Sequence, residues 1–488
     1  MSFRFHSFAR TVFTLLLSVG LTAAHAHSGK ARFHIVVDTD GAADDLRTLC
    51  LLLGNREAEV LAVTTSEGAL LPDSAAVRVR ALLDSFYHEG IPVGAGRAVQ
   101  APVPAWRAHS LRVAWGDAAA GDLPAAGELL AQTLADEEEQ VVVVALGALT
   151  NLSDLLRERP DLGRRIERIV WYNDSAAPLS GANYATDSTA AHRVLASGVP
   201  VTVVTACSSC PMVITPALLD SVAAVPTPYA RKIVATHRAA PLAELVAAGH
   251  LRAWDDLTAV WLFAPELFTV HRLSATVDAC RLADERAVRR AQAQLTAILR
   301  GKPDNESRVF YGFPIARDLY AADVAPLVDS VIVRHGSSEW RAGVLTNELH
   351  GHLGIYATIG VKMGIRAREY FNIGVDDIRV VTFAGSRPPV SCMNDGLQVG
   401  TGASVGHGLI DVASVDAPRP EARFTFKNKT IRLALKPAYA DRIRRDVQRG
   451  VELHGDLTEP YWQYVRALAL RYWLDFDRHE IFDLTVGE

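Results

Sequence analysis

The chain has 488 residues, 49% of them hydrophobic and 22% charged, with a formal net charge of −5 and a pI near 6.4. At roughly 150 residues per domain this length allows two or three domains, and the near-average composition excludes disordered, coiled-coil and collagen-like architectures. A mildly acidic chain with no Lys/Arg block offers no footprint for a nucleic-acid backbone, and five cysteines are too few for a disulfide scaffold.

Residues 1–26 read as a cleaved signal peptide. Arg4 and Arg10 give a positive start, Val12 to Ala23 is apolar but too short to span a bilayer, and Ala24-His25-Ala26 supplies small residues for cleavage. The mature chain is expected to be periplasmic or secreted, with no membrane span. From Arg32 to about Val270, short β-branched runs alternate with helix-length segments. Phe33–Val37, Val60–Val63, Val141–Leu146, Ile169–Tyr172 and Val199–Val204 read as parallel strands covered on both faces. Asp73–Tyr87, Pro124–Ala135, Asp187–Ser197, Pro228–Ala247 and Asp284–Arg300 read as helices. This predicts an α/β fold with a doubly wound, mostly parallel sheet, whose ligands bind beyond the carboxyl ends of the strands. After about residue 335 the texture changes. Trp340–Leu349 reads as a helix, Asp377–Phe383 as a strand, Phe424–Leu435 as a hairpin around Lys427-Asn428-Lys429, and Pro460–Trp473 as a closing helix. The expected organisation is a first domain over 31–335 and a smaller α+β domain over 336–488. Cys207-Ser208-Ser209-Cys210 has no thioredoxin-sized unit around it, which leaves a local disulfide or two buried thiols.

The densest chemistry lies in Asp38-Thr39-Asp40-Gly41-Ala42-Ala43-Asp44-Asp45. Four aspartates at the end of a buried strand raise one another's pKa values unless a cation neutralises them, and carboxylates on a turn suit a hard ion such as Ca²⁺. The same residues could instead cap the following helix and brace the turn. Three further segments bear on this choice: Leu146-Gly147-Ala148-Leu149-Thr150-Asn151-Leu152, then Asn183 to Asp187 leading to Gly198-Val199-Pro200-Val201, and Trp254-Asp255-Asp256-Leu257-Thr258 with Pro265-Glu266-Leu267-Phe268. Together the four resemble, in order, the motifs of the inosine/uridine-preferring nucleoside hydrolase family.

That resemblance implies a nucleoside-hydrolase-like, open Rossmann-like fold and calcium-dependent hydrolysis of an N-glycosidic bond in a ribosyl substrate. It assigns the calcium to Asp40, Asp45, Asp255 and the main-chain carbonyl of Thr150, with Asp44, Asn183 and Asn173 facing the sugar. Asp40 becomes the general base. Trp254 stands where one branch carries a histidine acid and another stacks a tryptophan on a purine; an isolated Trp also serves as a core residue. Three positions depart from the pattern: Asp40-Gly41-Ala42 lacks the usual proline, Gly68-Ala69 lacks a ribose-contacting amide, and Gly181 lacks a glutamate for the 5′ end of the sugar.

In the second domain, Glu348-Leu349-His350-Gly351-His352-Leu353-Gly354, Cys392-Met393-Asn394-Asp395 and Thr401 to Gly408 look like the FmdE family, named for a component of formylmethanofuran dehydrogenase. His350, His352, Cys392, Asp395 and His407 are candidate ligands for zinc or another transition metal. Cysteines that some members carry fall on Gly354 and Ala403 here. We expect a small-molecule ribosyl substrate, no nucleic acid, and a homo-oligomer. The competing reading is a non-catalytic ribosyl binder whose second domain acts through its metal.

Overall fold

The computed structural model describes residues 31–117, 121–206, 211–301, 309–310 and 312–487. The expected signal segment and the Cys207/Cys210 pair lie outside them.

The strands of the first unit are β1 (Phe33–Thr39), β2 (Ala58–Thr65), β3 (Val93–Ala95), β4 (Val141–Ala145), β5 (Ile166–Tyr172), β6 (Ser175–Ala176), β7 (Leu179–Ser180), β8 (Val201–Thr205), β9 (Phe268–Arg272) and β10 (Val277–Leu282). Eight of them form one sheet in the order β3-β2-β1-β4-β5-β8-β10-β9, while β6 and β7 form a separate small hairpin. All pairings in the large sheet are parallel except β9 with β10. The sheet is apolar on both faces, as its strands predict. Ile35 and Val37 enter one core while Val36 enters the other, and Val142/Val144 alternate with Val141/Val143 in the same way.

The helix expected over 228–247 is two helices, Pro228–His237 and Leu242–Ala247. Pro241 lacks the N–H that a continuous helix needs. The edge pair β9/β10 also extends the sheet beyond the strands legible in the sequence.

The second unit contributes β11 (Arg379–Thr382), β12 (Ile410–Val412), β13 (Glu421–Phe426), β14 (Lys429–Leu435) and β15 (Phe482–Val486). They form a five-stranded sheet in the order β12-β11-β13-β14-β15. The β13/β14 hairpin turns where expected, but the chain closes on β15 rather than on the helix Glu459–Asp475. Across the sheet lies the helix Ile355–Phe371, buried on nearly every side. Gly360 and Gly396 let it cross the helix Met393–Thr401 closely: a Cβ at either would overlap backbone of the other helix. The boundary expected at 335/336 moves N-terminally. Val324, Val328 and Val331 belong to the second core, and His335 Nε2 bonds Leu474 O at 2.8 Å.

The two units meet through ion-pair, hydrogen-bond and ring contacts. Lys427 Nζ lies 2.7 Å from both Glu59 Oε1 and Glu137 Oε2, beside His34. Tyr87 stacks on His479 with ring centroids 3.4 Å apart. His88 Nε2 meets the Tyr229 hydroxyl at 2.8 Å, and that hydroxyl donates to Asn372 Oδ1 at 3.2 Å. No helix among the described residues is long and apolar enough to cross a membrane.

Candidate active site

β1 delivers Asp38 and Asp40 to the carboxyl edge of the sheet, and the chain turns through Gly41 (φ +79°) into the helix Ala43–Gly54. A Cβ at Gly41 would also press on Ala75 Cβ at 2.9 Å, so the turn selects glycine twice over. The helix N-cap is Ala42, with no side-chain cap, so neither Asp44 nor Asp45 serves as one. Asp45 instead folds back over the turn, where its Oδ2 accepts from the Thr39 hydroxyl at 2.5 Å and from Asp40 N at 3.0 Å. Its Oδ1 is buried and has no donor, and the same is true of Asp255 Oδ1. Ligand oxygens of Asp44, Asp45 and Asp255 all lie within 4.8 Å of one another.

Burial and mutual repulsion act together on this group. Burial and Asp45 push Asp44 up to about 7, and Asp255 and Asp40 rise well above the ordinary carboxylate range for the same two reasons. Two orphaned oxygens amid like charges form a donor set that suits a hard divalent cation. Of the expected trio of Asp40, Asp45 and Asp255, the last two converge, and Asp44 converges with them. Asp40 stands alongside, its Oδ1 accepting from Ala42 N at 3.2 Å and its Oδ2 from Ala69 N at 3.0 Å. Position 69 thus serves Asp40 through its backbone. Gly68 is required beside it, because a Cβ there would overlap Asp40 Oδ2.

The remaining expected residues divide. Asn183 Nδ2 donates to Leu146 O at 2.8 Å and Tyr172 O at 3.1 Å, which seats it at the carboxyl ends of β4 and β5. Thr150 opens the helix Thr150–Glu158, and its hydroxyl donates to Asp187 Oδ2 at 2.9 Å. Trp254 is 44% exposed next to Asp255, which removes it from the core. Asn173 is a correction. It is fully buried, its Nδ2 spent on Ser175 O and Ser180 O and its Oδ1 accepting from Tyr184 N, so it shapes the loop rather than meeting a sugar.

Further residues brace the site from within its motifs, and Arg47 does so from outside them. Asp38, completely buried, accepts from the Thr64 hydroxyl at 2.6 Å and from Asn151 Nδ2 at 2.7 Å, tying β1, β2 and the helix after β4 together. Burial pushes its carboxyl up to about 6. Arg47 lies under the cluster, and Asp256 neutralises it.

In the second unit, His350 Nδ1 meets Asp395 Oδ2 at 2.6 Å, and the His350 and His352 rings are 4.3 Å apart between centroids. Asp395 thereby orients the imidazole and leaves Nε2, buried and without a partner, as its ligand atom. A Cβ at Gly354 would come within 3.1 Å of that Nε2. His407 does not join this group as expected: its Nδ1 bonds Gly402 O at 3.0 Å and faces Asp376 at 3.5 Å. Among the described residues, no group of three or more of these candidates converges as the aspartates do.

Residues 35–309, more than half of the chain, match the profile of the inosine-uridine preferring nucleoside hydrolases. The chain belongs to this family. Residues 349–483 match FmdE, described as molybdenum formylmethanofuran dehydrogenase operon. The pyrimidine-specific ribonucleoside hydrolase RihA of Shewanella sp. (strain MR-7) is 29% identical over 254 residues, covering 48% of this chain and 79% of the relative. The enzyme of the same name from Klebsiella pneumoniae subsp. pneumoniae is 29% identical over 265 residues, covering 48% and 81%. Among solved structures, the purine-preferring ribonucleoside hydrolase from Gardnerella vaginalis aligns with a TM-score of 0.45 at 18% identity, over 55% of this chain and 99% of that one. As a nucleoside hydrolase, the protein is an N-glycosyl hydrolase, which sets aside the non-catalytic binder.

Proposed function

We propose that this protein hydrolyses the N-glycosidic bond of a purine ribonucleoside or related ribosyl compound with calcium as its cation, and that it works after export from the cytoplasm. The observation that carries the catalytic reading is the convergence of Asp44, Asp45 and Asp255, with two buried oxygens lacking donors, beside the doubly hydrogen-bonded Asp40. Asp45 and Asp255 would hold the cation with Asp44 at its edge; when bound, it supplies Lewis acidity and a template for the vicinal hydroxyls of the sugar. The chain's own residues supply the rest. Asp40 takes a proton from the attacking water as its oxygen bonds the anomeric carbon and the C–N bond breaks, with positive charge developing on the ribose ring as in other glycoside hydrolyses. The base departs with the bonding pair and takes a proton from solvent.

The purine preference rests on Trp254, whose exposed ring beside Asp255 is placed to stack on a departing base. The curated relatives are named for pyrimidines, so a nucleoside panel decides. Purified protein with calcium should release ribose from purine nucleosides at least about 10-fold faster than from pyrimidine ones, a gap the size of one stacking contact. Release should vanish with chelator and in Asp40→Ala; release unaffected by either refutes the reading. For the second unit we propose a transition-metal site at His350 Nε2 with His352 and Cys392. Metal analysis of the full chain and of His350→Ala tests it.

A further inference from the structure

Asp40 leans on one peptide group, and that peptide is gripped by a residue that none of the four motifs reaches. Residues 66–70 wrap over the end of β1: Ser66 N donates to Thr39 O at 2.9 Å, Leu70 N to Asp40 O at 3.1 Å, and Gly68 N to Leu70 O at 3.1 Å. Within this turn the Gly68–Ala69 peptide gives its N–H to Asp40 Oδ2 at 3.0 Å. The carbonyl of the same peptide accepts from Arg107 Nη2 at 2.8 Å, a residue 39 positions further along the chain.

The guanidinium is itself aimed. Glu67 Oε1 lies 3.5 Å from Arg107 Nη2, and both side chains are largely buried. The other Glu67 oxygen accepts from Val99 N at 2.7 Å and from Gln100 N at 3.1 Å, so one carboxylate fastens the segment after β3 at two further points. Past the single helical turn Arg107–Ser110, the segment sinks Val113 and Trp115 into the larger core. Arg107 therefore reaches the Gly68 carbonyl from a firm footing at both ends of its segment.

A trans peptide points its C=O and N–H in opposite directions. A cation at the oxygen and a carboxylate at the nitrogen thus sit at the two ends of one polarised unit. Hydrogen bonds arranged in such a row strengthen one another, and those made by charged groups are the strong ones. By drawing on the Gly68 oxygen, Arg107 makes Ala69 N–H a better donor and fixes the plane in which that donor meets Asp40.

We propose that Arg107 is a positioning residue for the general base Asp40, acting through the Gly68–Ala69 peptide and aimed by Glu67, an assignment that rests on the hydrolase reading above. Asp40 meets the attacking water, so loss of Arg107 lowers turnover and leaves substrate binding nearly intact.

The test uses the full chain with calcium, inosine as the probe, and two readouts. Arg107→Met should lower kcat by about 10- to 100-fold, the size of one hydrogen bond to a charged group, with KM within about threefold of wild type. Arg107→Lys, which keeps a cationic donor, should recover most of that loss. Amide exchange followed by mass spectrometry should accelerate about 10-fold in peptides covering residues 66–71 of Arg107→Met, and stay near wild type in Arg107→Lys. Should Arg107→Met not fold, Arg107→Gln takes its place with the same expectations. Unchanged kcat, a loss carried by KM, a Lys variant no better than Met, or exchange that quickens throughout the chain overturns the proposal. If wild type cleaves no nucleoside, the hydrolase reading fails, and exchange alone decides whether Arg107 holds the Ala69 amide: local acceleration supports it, and wild-type exchange overturns it.

Discussion

Arg47 and Asp256 form a bidentate ion pair, with Nε to Oδ1 at 2.7 Å and the second nitrogen to Oδ2 at 2.6 Å, and both side chains are almost wholly buried. Arg47 stands two residues after Asp45 on one helix, and Asp256 follows Asp255 on another, so the pair fixes the two halves of the carboxylate cluster against each other. The remaining Arg47 nitrogen meets His237 Nε2 at 2.8 Å. Removing one partner of such a pair strands a buried charge, so Arg47→Met should cost about 3–5 kcal/mol. The double variant Arg47→Met/Asp256→Leu should recover most of that stability, yet bind calcium more weakly because the helices are no longer locked. Denaturant titration and calcium titration of the same proteins check both halves.

The cation-free cluster should resist rising pH poorly. Folding raises Asp38 to about 6 and Asp44 to about 7 from an ordinary value near 4. The folded state then holds more protons than the unfolded one between about pH 4 and 7, and stability falls as pH climbs through that window. Calcium, which needs these carboxyls deprotonated, should offset the loss. The rise in Tm on adding calcium is expected to grow from pH 4 to pH 7, and a rise independent of pH would count against the cation at this site.

Gly68→Ala should abolish activity with little change in fold. Its new Cβ would overlap Asp40 Oδ2 and displace the base from Ala69 N. Since a misplaced catalytic group costs about 100-fold, kcat should fall at least that far, while the far-ultraviolet circular dichroism stays that of wild type.

His88 should make the contact between the two units sensitive to acid. Burial pushes its pKa down to about 4 while its ring bridges Glu369 O and the Tyr229 hydroxyl. The contribution of the neutral ring is complete above about pH 6.5 and is lost as pH falls toward 4, roughly 3 kcal/mol in all. With calcium present, so that the carboxylate effect is suppressed, hydrogen exchange around Tyr229 and Asn372 should accelerate over that range, and His88→Gln should flatten the dependence.

The convergence of Asp45 and Asp255 was legible because both stand in motifs of the family the chain belongs to, and the structure brings them together. The strands β1 and β4 were legible from β-branched runs buried on both faces. Asn173 was misread because a buried amide bonds backbone as readily as it bonds a hydroxyl, and sequence does not distinguish the two. Asp44 joins the converging pair because the helix beginning at Ala43 sets its direction, which residue spacing does not reveal. The helix Ile355–Phe371 escaped notice because burial all round erases the 3.6-residue period.

The ammonium of Lys427, seated between Glu59 and Glu137, bears on how this polypeptide can be divided. Severing the chain near residue 320 would strip those two glutamates of their counter-ion and take Asn372 from the Tyr229 hydroxyl. The hydrolytic half is thus not a module to be lifted out intact. A workable excised version needs neutral residues at 59 and 137 before it will stay dispersed on its own.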